Sequence, residues 1–350
     1  MAPERPLLEV NDLRTYFFTS LGTVRAVDGL SFSVPLQRIV GIVGESGCGK
    51  SVAARSILGI IPPPGRVVSG SMHFDGDQGL LDLAALDPHD EVYRKTRGKE
   101  ISMIFQEPMS ALSPVHTVGD QLVEALMLYD EQLTKEDARD RCIGLLRQVG
   151  IPSPETLIDA YIFELSGGMR QRVLVAMAIS GEPKLLIADE PTTAIDVTIQ
   201  AKVLDLLRHL HEEKRMSMLF ITHNMGVIAE LAHEVIVMYL GTVAEQGSVN
   251  DIFDNPQHPY TQALLESIPG IGVEPKTTLQ AIEGSVPDPY RRPPGCPFSN
   301  RCPSFKAGTC DAALPPLYRV SESQTARCFL LEGNEVVAEA APPPEVSADG

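Results

Sequence analysis

Residues 7–36 alternate apolar and polar positions in Leu8-Glu9-Val10, Val24-Arg25-Ala26-Val27 and Leu30-Ser31-Phe32-Ser33-Val34. A period of two predicts strands of an antiparallel layer. Arg38 to Val43 is a short apolar run that feeds a glycine-rich turn. A helix is expected from Lys50, stopping by Pro62-Pro63-Pro64. Residues 66–83 read as more of the antiparallel layer. Residues 107–182 are mostly helical by pattern, with turns at Pro114 and Pro152-Ser153-Pro154. Leu185–Ala188 and Met218–Thr222 look like buried strands, and a helix around Val197–Lys214 separates them. Strand, helix, strand order predicts a parallel core. Glu234–Tyr239 and Thr242–Glu245, hinged at Gly241, read as a hairpin. From about Pro269 the proline, glycine and cysteine content rises and helical periodicity fades. The expected division is a main domain at 1–270, with a helical subdomain at 107–182. A small cysteine-rich domain follows at 271–333, then a disordered tail at 334–350 that includes Pro342-Pro343-Pro344.

Composition narrows the setting. With 43% hydrophobic and 21% charged residues, the 350-residue chain is an ordinary globular protein. No apolar run approaches the roughly 18–20 residues of a membrane span. The start, Met1-Ala2-Pro3-Glu4-Arg5-Pro6, lacks the shape of a signal peptide. A cytosolic protein that meets the membrane only through a partner is therefore expected. The net charge of -17 argues against binding along a nucleic-acid backbone. Four of the six cysteines fall in the last quarter of the chain, which favours metal or cluster binding over disulfides.

Three motifs then follow in order. Gly44-Glu45-Ser46-Gly47-Cys48-Gly49-Lys50-Ser51 has the spacing of a phosphate loop. Its glycines let backbone N–H groups turn inward to phosphate oxygens. Lys50 can reach the β- and γ-phosphates of ATP, and Ser51 can ligate Mg²⁺. Gly44, Ser46, Gly47, Cys48, Gly49, Lys50, Ser51 and Val52 are the expected contacts, with Cys48 as a small spacer. Asp189 and Glu190 end the apolar run Leu185-Leu186-Ile187-Ala188. Asp189 can bind Mg²⁺ through water, and Glu190 can polarise an attacking water. Between loop and acidic pair stands Leu165-Ser166-Gly167-Gly168-Met169. Alone, this is a helix N-cap. Beside a phosphate loop it reads as a second anion clamp, and the simplest use of a second clamp is a partner's nucleotide.

Over residues from about 7 to 265 these motifs resemble the ABC ATPase family. The implied fold is α/β: an ABC-type nucleotide-binding domain with a parallel phosphate-loop core, an antiparallel β layer and a helical subdomain. The resemblance makes Gln106, in Met103-Ile104-Phe105-Gln106, the glutamine that senses Mg²⁺ or the attacking water and couples to a membrane subunit. It makes Ser166, Gly167 and Gly168 the signature that binds the opposing subunit's γ-phosphate. Asp196, in Thr193-Ala194-Ile195-Asp196, occupies the family's Ser-Ala-Leu-Asp loop. His223 matches the switch histidine, and Phe17, or next to it Tyr16, the aromatic on adenine. One phosphate loop per chain implies a dimer of such domains.

The ending narrows the resemblance. Asn255-Pro256-Gln257-His258-Pro259-Tyr260 and Gly295-Cys296-Pro297-Phe298-Ser299-Asn300-Arg301-Cys302 are similar to importer ATPases of the oligopeptide/dipeptide/nickel group. Cys296, Cys302, Cys310 and Cys328 could hold a [4Fe–4S] cluster or tetrahedral zinc, or stay free thiols. The resemblance implies the cluster. The group often has a histidine four residues before the last cysteine, where this chain has Gln324. The partners implied are a second, related ATPase subunit, two membrane-spanning permease subunits and an extracellular solute-binding protein, with no nucleic acid. The place implied is the cytoplasmic face of the cell membrane, peripherally. The rival is a soluble mechanical ATPase acting on nucleic acid or ribosomes. The solute, whether peptide, nickel or oligosaccharide, is not written in the chain.

Overall fold

A computed structural model of the chain describes residues 5–106, 111–130, 132–193, 196–268 and 282–338. The start of the helical stretch at 107, the expected boundary at 270/271 and tail residues 339–350 lie outside these.

Two sheets organise the chain. The first is antiparallel, in the order β2-β1-β4-β5, from β1 (Leu8–Thr19), β2 (Gly22–Val34), β4 (Gly65–Gly76) and β5 (Gly79–Asp82). The alternation at 7–36 is thus borne by two long strands rather than three short ones. The second sheet contains β3 (Ile39–Val43), β6 (Ile101–Ile104), β7 (Leu185–Asp189), β8 (Ser217–Thr222), β9 (Glu234–Tyr239) and β10 (Thr242–Ser248). Its order from β9 is β9-β3-β8-β7-β6, all parallel, with β10 antiparallel on β9.

The parallel strands are mostly apolar because both faces are buried. Ile39 and Val43 of β3 point into one core, while Val40 and Ile42 point into the other. Leu186 and Ala188 of β7 divide from Leu185 and Ile187 in the same way. One core lies between this sheet and the antiparallel layer, with helix α1 (Lys50–Ile57) between them. The other joins the sheet to the helices α3 (Val118–Tyr129), α4 (Lys135–Gln148), α6 (Gly167–Ile179) and α7 (Val197–Lys214). A short helix α5 (Pro154–Leu157) follows the predicted proline turn.

Capping residues mark where the helices start. Thr117 and Asp120 form a reciprocal box at α3, and Thr134 caps α4. Each such cap is worth about 1 kcal/mol. The helix α2 (Glu91–Lys99) and strand β6 were not anticipated from the pattern. Four residues are too few for a period to register.

The end of the chain is tied into the main sheet. After α8 (Met225–Leu231), α9 (Val249–Asp254) and α10 (Pro259–Glu266) come β11 (Tyr318–Arg319) and β12 (Thr325–Ala326). Strand β12 pairs with β10, so the sheet continues as β11-β12-β10. Cys296 and Phe298 belong to the main core. The expected tail begins too early at 334, because Val336 bridges Tyr318 and the Val337 N–H donates to the Leu317 carbonyl (2.8 Å). Its alanine- and proline-rich composition had hidden that edge pairing.

Candidate functional site

Four neighbouring parallel strands end at one place, and a chemically competent residue follows each. The phosphate loop leaves β3, His223 follows β8, Glu190 follows β7 and Gln106 lies two residues beyond β6. Ligands bind outside the carboxyl ends of such strands. A cleft of about 220 Å³ opens there. Ser46, Gly47, Gly49, Lys50, Ser51, Val52, Gln106 and Glu190 line it. Gly44 and Cys48 lie behind the lining. Cys48 is 2% exposed, and burial raises its thiol pKa despite the nearby Lys50, which suits a spacer.

The loop conformation depends on glycine. Gly49 has φ +103°, and a Cβ there would stand 2.1 Å from the Ala26 carbonyl oxygen. Lys50 is 4% exposed and donates to the carbonyls of Gly44 (2.8 Å) and Glu45 (3.1 Å). The Ser51 hydroxyl donates to Asp189 (2.9 Å). Burial is the main influence on Asp189 and raises its carboxyl above the ordinary range, with the Ser51 hydrogen bond acting against it.

Glu190 is the centre of the arrangement. Its Oε2 accepts from Gln106 Nε2 (3.2 Å) and from the Thr193 hydroxyl (2.9 Å), and lies 3.3 Å from His223 Nδ1. Lys50 Nζ is 3.9 Å from its other oxygen. The Glu190 backbone is left-handed, with φ +47°, and its N–H donates to the Ile221 carbonyl (2.9 Å). That unusual conformation aims the carboxylate along the sheet end, and such backbone strain clusters at functional sites. Thr193 is a partner that sequence reasoning missed. It was visible only as part of a loop string.

The remaining expected residues lie elsewhere. Ser166 caps α6 and accepts from the Met169 N–H (3.4 Å). Ser166 and Gly167 are exposed and do not line this cleft, while Gly168 packs against Ile199. Asp196 is exposed and caps α7 by accepting from the Ile199 N–H (2.9 Å). Phe17 pairs in register with Val24, a lining residue, but its ring lies over Gly65 outside the lining. Tyr16 is buried and donates to Asp28 (2.7 Å).

The far wall of the cleft is formed by Val24, Arg25, Ala26, Pro289 and Arg292. The last two come from the C-terminal segment and were not anticipated. Arg292 donates to Asp28 (2.7 Å), which also accepts from Arg14 (2.6 Å). Burial pushes the Asp28 carboxyl up, but Tyr16, Arg292 and Arg14 together bring it below the usual range.

The four C-terminal cysteines line one cavity, with His258, Phe298 and Leu330 among its walls. None forms a disulfide. Burial raises the thiols of Cys296, to about 11, and of Cys302 and Cys328. Among the described residues, no group of three or more His, Cys, Asp or Glu side chains is arranged to hold a metal ion. Gln324 is buried and donates to Glu245 (2.8 Å) and to the Asn255 carbonyl (2.9 Å). Glu245 also accepts the N–H groups of Gln257 (2.8 Å) and His258 (2.9 Å). In this chain, the position of the expected histidine is therefore a tie between β10 and the C-terminal segment. No helix among the described residues is long and apolar enough to cross a membrane.

Family models, relatives and solved structures match the chain. Residues 27–193 match the family model described as ABC transporter. Residues 244–310 match the one described as oligopeptide/dipeptide transporter, C-terminal region. The oligopeptide transport ATP-binding protein AppD of Bacillus subtilis is 48% identical over 327 residues, covering 93% of this chain and 97% of AppD. The dipeptide transport ATP-binding protein DppD of Escherichia coli is 45% identical, covering 92% of this chain and 96% of its own length. Among solved structures, a dimeric ATP-binding cassette with ADP and Pi in a post-hydrolysis state superposes with a TM-score of 0.61. It is 23% identical and covers 69% of this chain and 98% of the cassette.

Proposed function

Because this chain belongs to the family of oligopeptide and dipeptide ABC-transporter ATP-binding proteins, we propose that it drives peptide import from the cytoplasmic face of the membrane, paired with a second, related ATPase subunit. ATP hydrolysis coupled to transport is the family's activity. The observation that carries a catalytic assignment is the convergence on Glu190. Gln106, Thr193 and His223 all meet one carboxylate oxygen beside the phosphate loop. Glu190 is the general base that takes a proton from the attacking water. Gln106 and His223 orient the water and sense the γ-phosphate, and Lys50 exchanges its carbonyl partners for phosphate oxygens. Mg²⁺, when bound, neutralises charge on the transferring phosphoryl group. Ser51, Gln106 and Asp189 are the residues that would hold it.

The exposed Ser166 and Gly167 support a two-chain site. A clamp outside its own cleft is free for the nucleotide of the opposing subunit. On the helical side, Val115 is 73% exposed, Leu128 75% and Phe163 62%. These exposed apolar side chains are the contacts we assign to the membrane-spanning permease subunits. An extracellular solute-binding protein would deliver the peptide to them.

The four thiols around one cavity support a [4Fe–4S] site held by Cys296, Cys302, Cys310 and Cys328. A single zinc needs thiolates meeting at about 2.3 Å from a common centre. The choice of a cluster over zinc rests on the family resemblance, since the cavity between the thiols measures only about 20 Å³. Its role is structural: residues 282–333 carry little regular structure, which a cluster would staple.

Two measurements test this function. Glu190→Gln is expected to keep MgATP binding and to lower turnover of the assembled transporter by about 10²–10⁴-fold, read by phosphate release. Unchanged turnover would remove Glu190 from catalysis. Anaerobically purified chain is expected to be brown, with iron and sulfide near about four per chain. Colourless chain with stoichiometric zinc would replace the cluster.

A further inference from the structure

The phosphate loop does not stand on its own strand and helix alone. Glu45, its second residue, is held at three points. Its N–H donates to the Tyr260 hydroxyl (2.9 Å). Its carbonyl accepts from Lys50 Nζ (3.1 Å) and the Cys48 N–H (3.2 Å). Its carboxylate is gripped by Arg301, which donates from Nη1 to Oε2 (2.6 Å) and from Nη2 to Oε1 (3.1 Å).

Arg301 belongs to the C-terminal cysteine segment, immediately before Cys302. Its side chain is 3% exposed. The rest of its guanidinium is also occupied: Nε donates to the Glu283 carbonyl (3.0 Å) and Nη1 to the Tyr239 hydroxyl (3.2 Å). Behind it, Tyr239, Tyr260 and Phe298 pack ring against ring at 4.6–5.3 Å. This differs from an ordinary surface ion pair. A planar, buried fork meets a carboxylate with two bonds, so both distance and orientation are fixed. The carbonyl of the same Glu45 residue faces Lys50, the side chain that must meet the phosphates.

We propose that Arg301 is a positioning residue for nucleotide binding: through Glu45 it sets the phosphate loop, so that the cysteine segment is a working part of the ATP site. The proposal rests on the reading of the loop as a nucleotide site. It differs from a simple staple, in which the pair joins the segment to the body and leaves the loop unaffected.

Calorimetric titration of the full-length chain with MgADP separates the two. The diphosphate still fills the loop and cannot be hydrolysed there. Glu45→Gln and Arg301→Met are each expected to raise Kd about tenfold, equivalent to about 1.4 kcal/mol. The double variant should be no weaker than either single one, because both remove the same interaction. Arg301→Lys should fall between, keeping charge without the fork. Thermal unfolding of each variant is followed in parallel. A Kd within twofold of the parent in folded single variants overturns the proposal, as do single effects that multiply in the double variant. If Arg301→Met does not fold, Glu45→Gln decides alone, since its carboxylate is 26% exposed and its loss leaves no cavity in the core. Failure of the parent chain itself to bind MgADP would instead refute the nucleotide reading.

Discussion

The two ends of the candidate ATP cleft are built on different principles. At the phosphate end, the fold itself places the residues. Four parallel strands stop together, and backbone geometry carries Lys50, Glu190, His223 and Gln106 to one point. At the other end, Pro289 and Arg292 arrive from a segment with little regular structure. That segment is held by β11 and β12, two residues each, and by side-chain ties such as Arg301–Glu45, Arg292–Asp28 and Gln324–Glu245. The first end tolerates almost no change in backbone conformation. The second tolerates backbone variation but depends on a few buried polar groups.

The largest expected effect tests the first principle. Gly49→Ala places a Cβ 2.1 Å from a backbone oxygen that cannot move aside, at φ +103°. The expected cost is about 3–5 kcal/mol of stability, together with loss of MgADP binding. Urea unfolding and calorimetry read the two. A variant with normal affinity would mean that the loop adapts and is not set by its backbone.

The second principle is tested by acid. His258 sits in the wall of the cysteine cavity at 3% exposure, and burial, aided by Arg327, holds its pKa down to about 4. The folded chain keeps this imidazole neutral, whereas the unfolded chain protonates it below about 6.5. Stability from this group is therefore complete above pH 6.5 and is lost as pH falls toward 4, by up to about 3 kcal/mol. Glu245 acts with the opposite sign: burial raises its carboxyl, so the folded state binds that proton more readily. The net loss is smaller than the His258 contribution alone. Urea midpoints should be lower at pH 5 than at pH 7 in the parent, and that loss should disappear in His258→Asn. An equal pH dependence in that variant would assign the acid sensitivity elsewhere.

The contrast also explains what could be read from the chain. The loop and the acidic pair were legible because local sequence fixes each one against its own strand end, whereas His223 was reached only through the family resemblance. The parallel core followed from the succession of strand, helix and strand along the chain. Strand β6 was too short to register, and it is what brings Gln106 to the site. The C-terminal ties were illegible for a different reason. Arg301 and Glu45 are 256 residues apart, and nothing in either neighbourhood announces the other. Cysteine spacing signalled a shared site but not its attachment to the phosphate loop. Likewise Gln324 stood out only as a departure from a pattern; its bond to Glu245 required the sheet.

The smallest expected effect concerns Ser166, which belongs to neither end of this cleft. Its hydroxyl accepts one helix N–H at 3.4 Å, a long bond. Ser166→Ala should therefore cost at most about 1 kcal/mol of stability. MgADP affinity of the isolated chain should be unchanged, since Ser166 does not line its cleft. Turnover in the assembled transporter should nevertheless fall if, as proposed, the clamp faces a nucleotide held by the other subunit. The separation between these two readouts is the informative quantity. Loss of affinity in the isolated chain would bring Ser166 into its own cleft and remove the need for a partner. Loss confined to the assembly would place the third wall of each ATP site on a second polypeptide, beyond the phosphate loop and the C-terminal segment that this chain supplies.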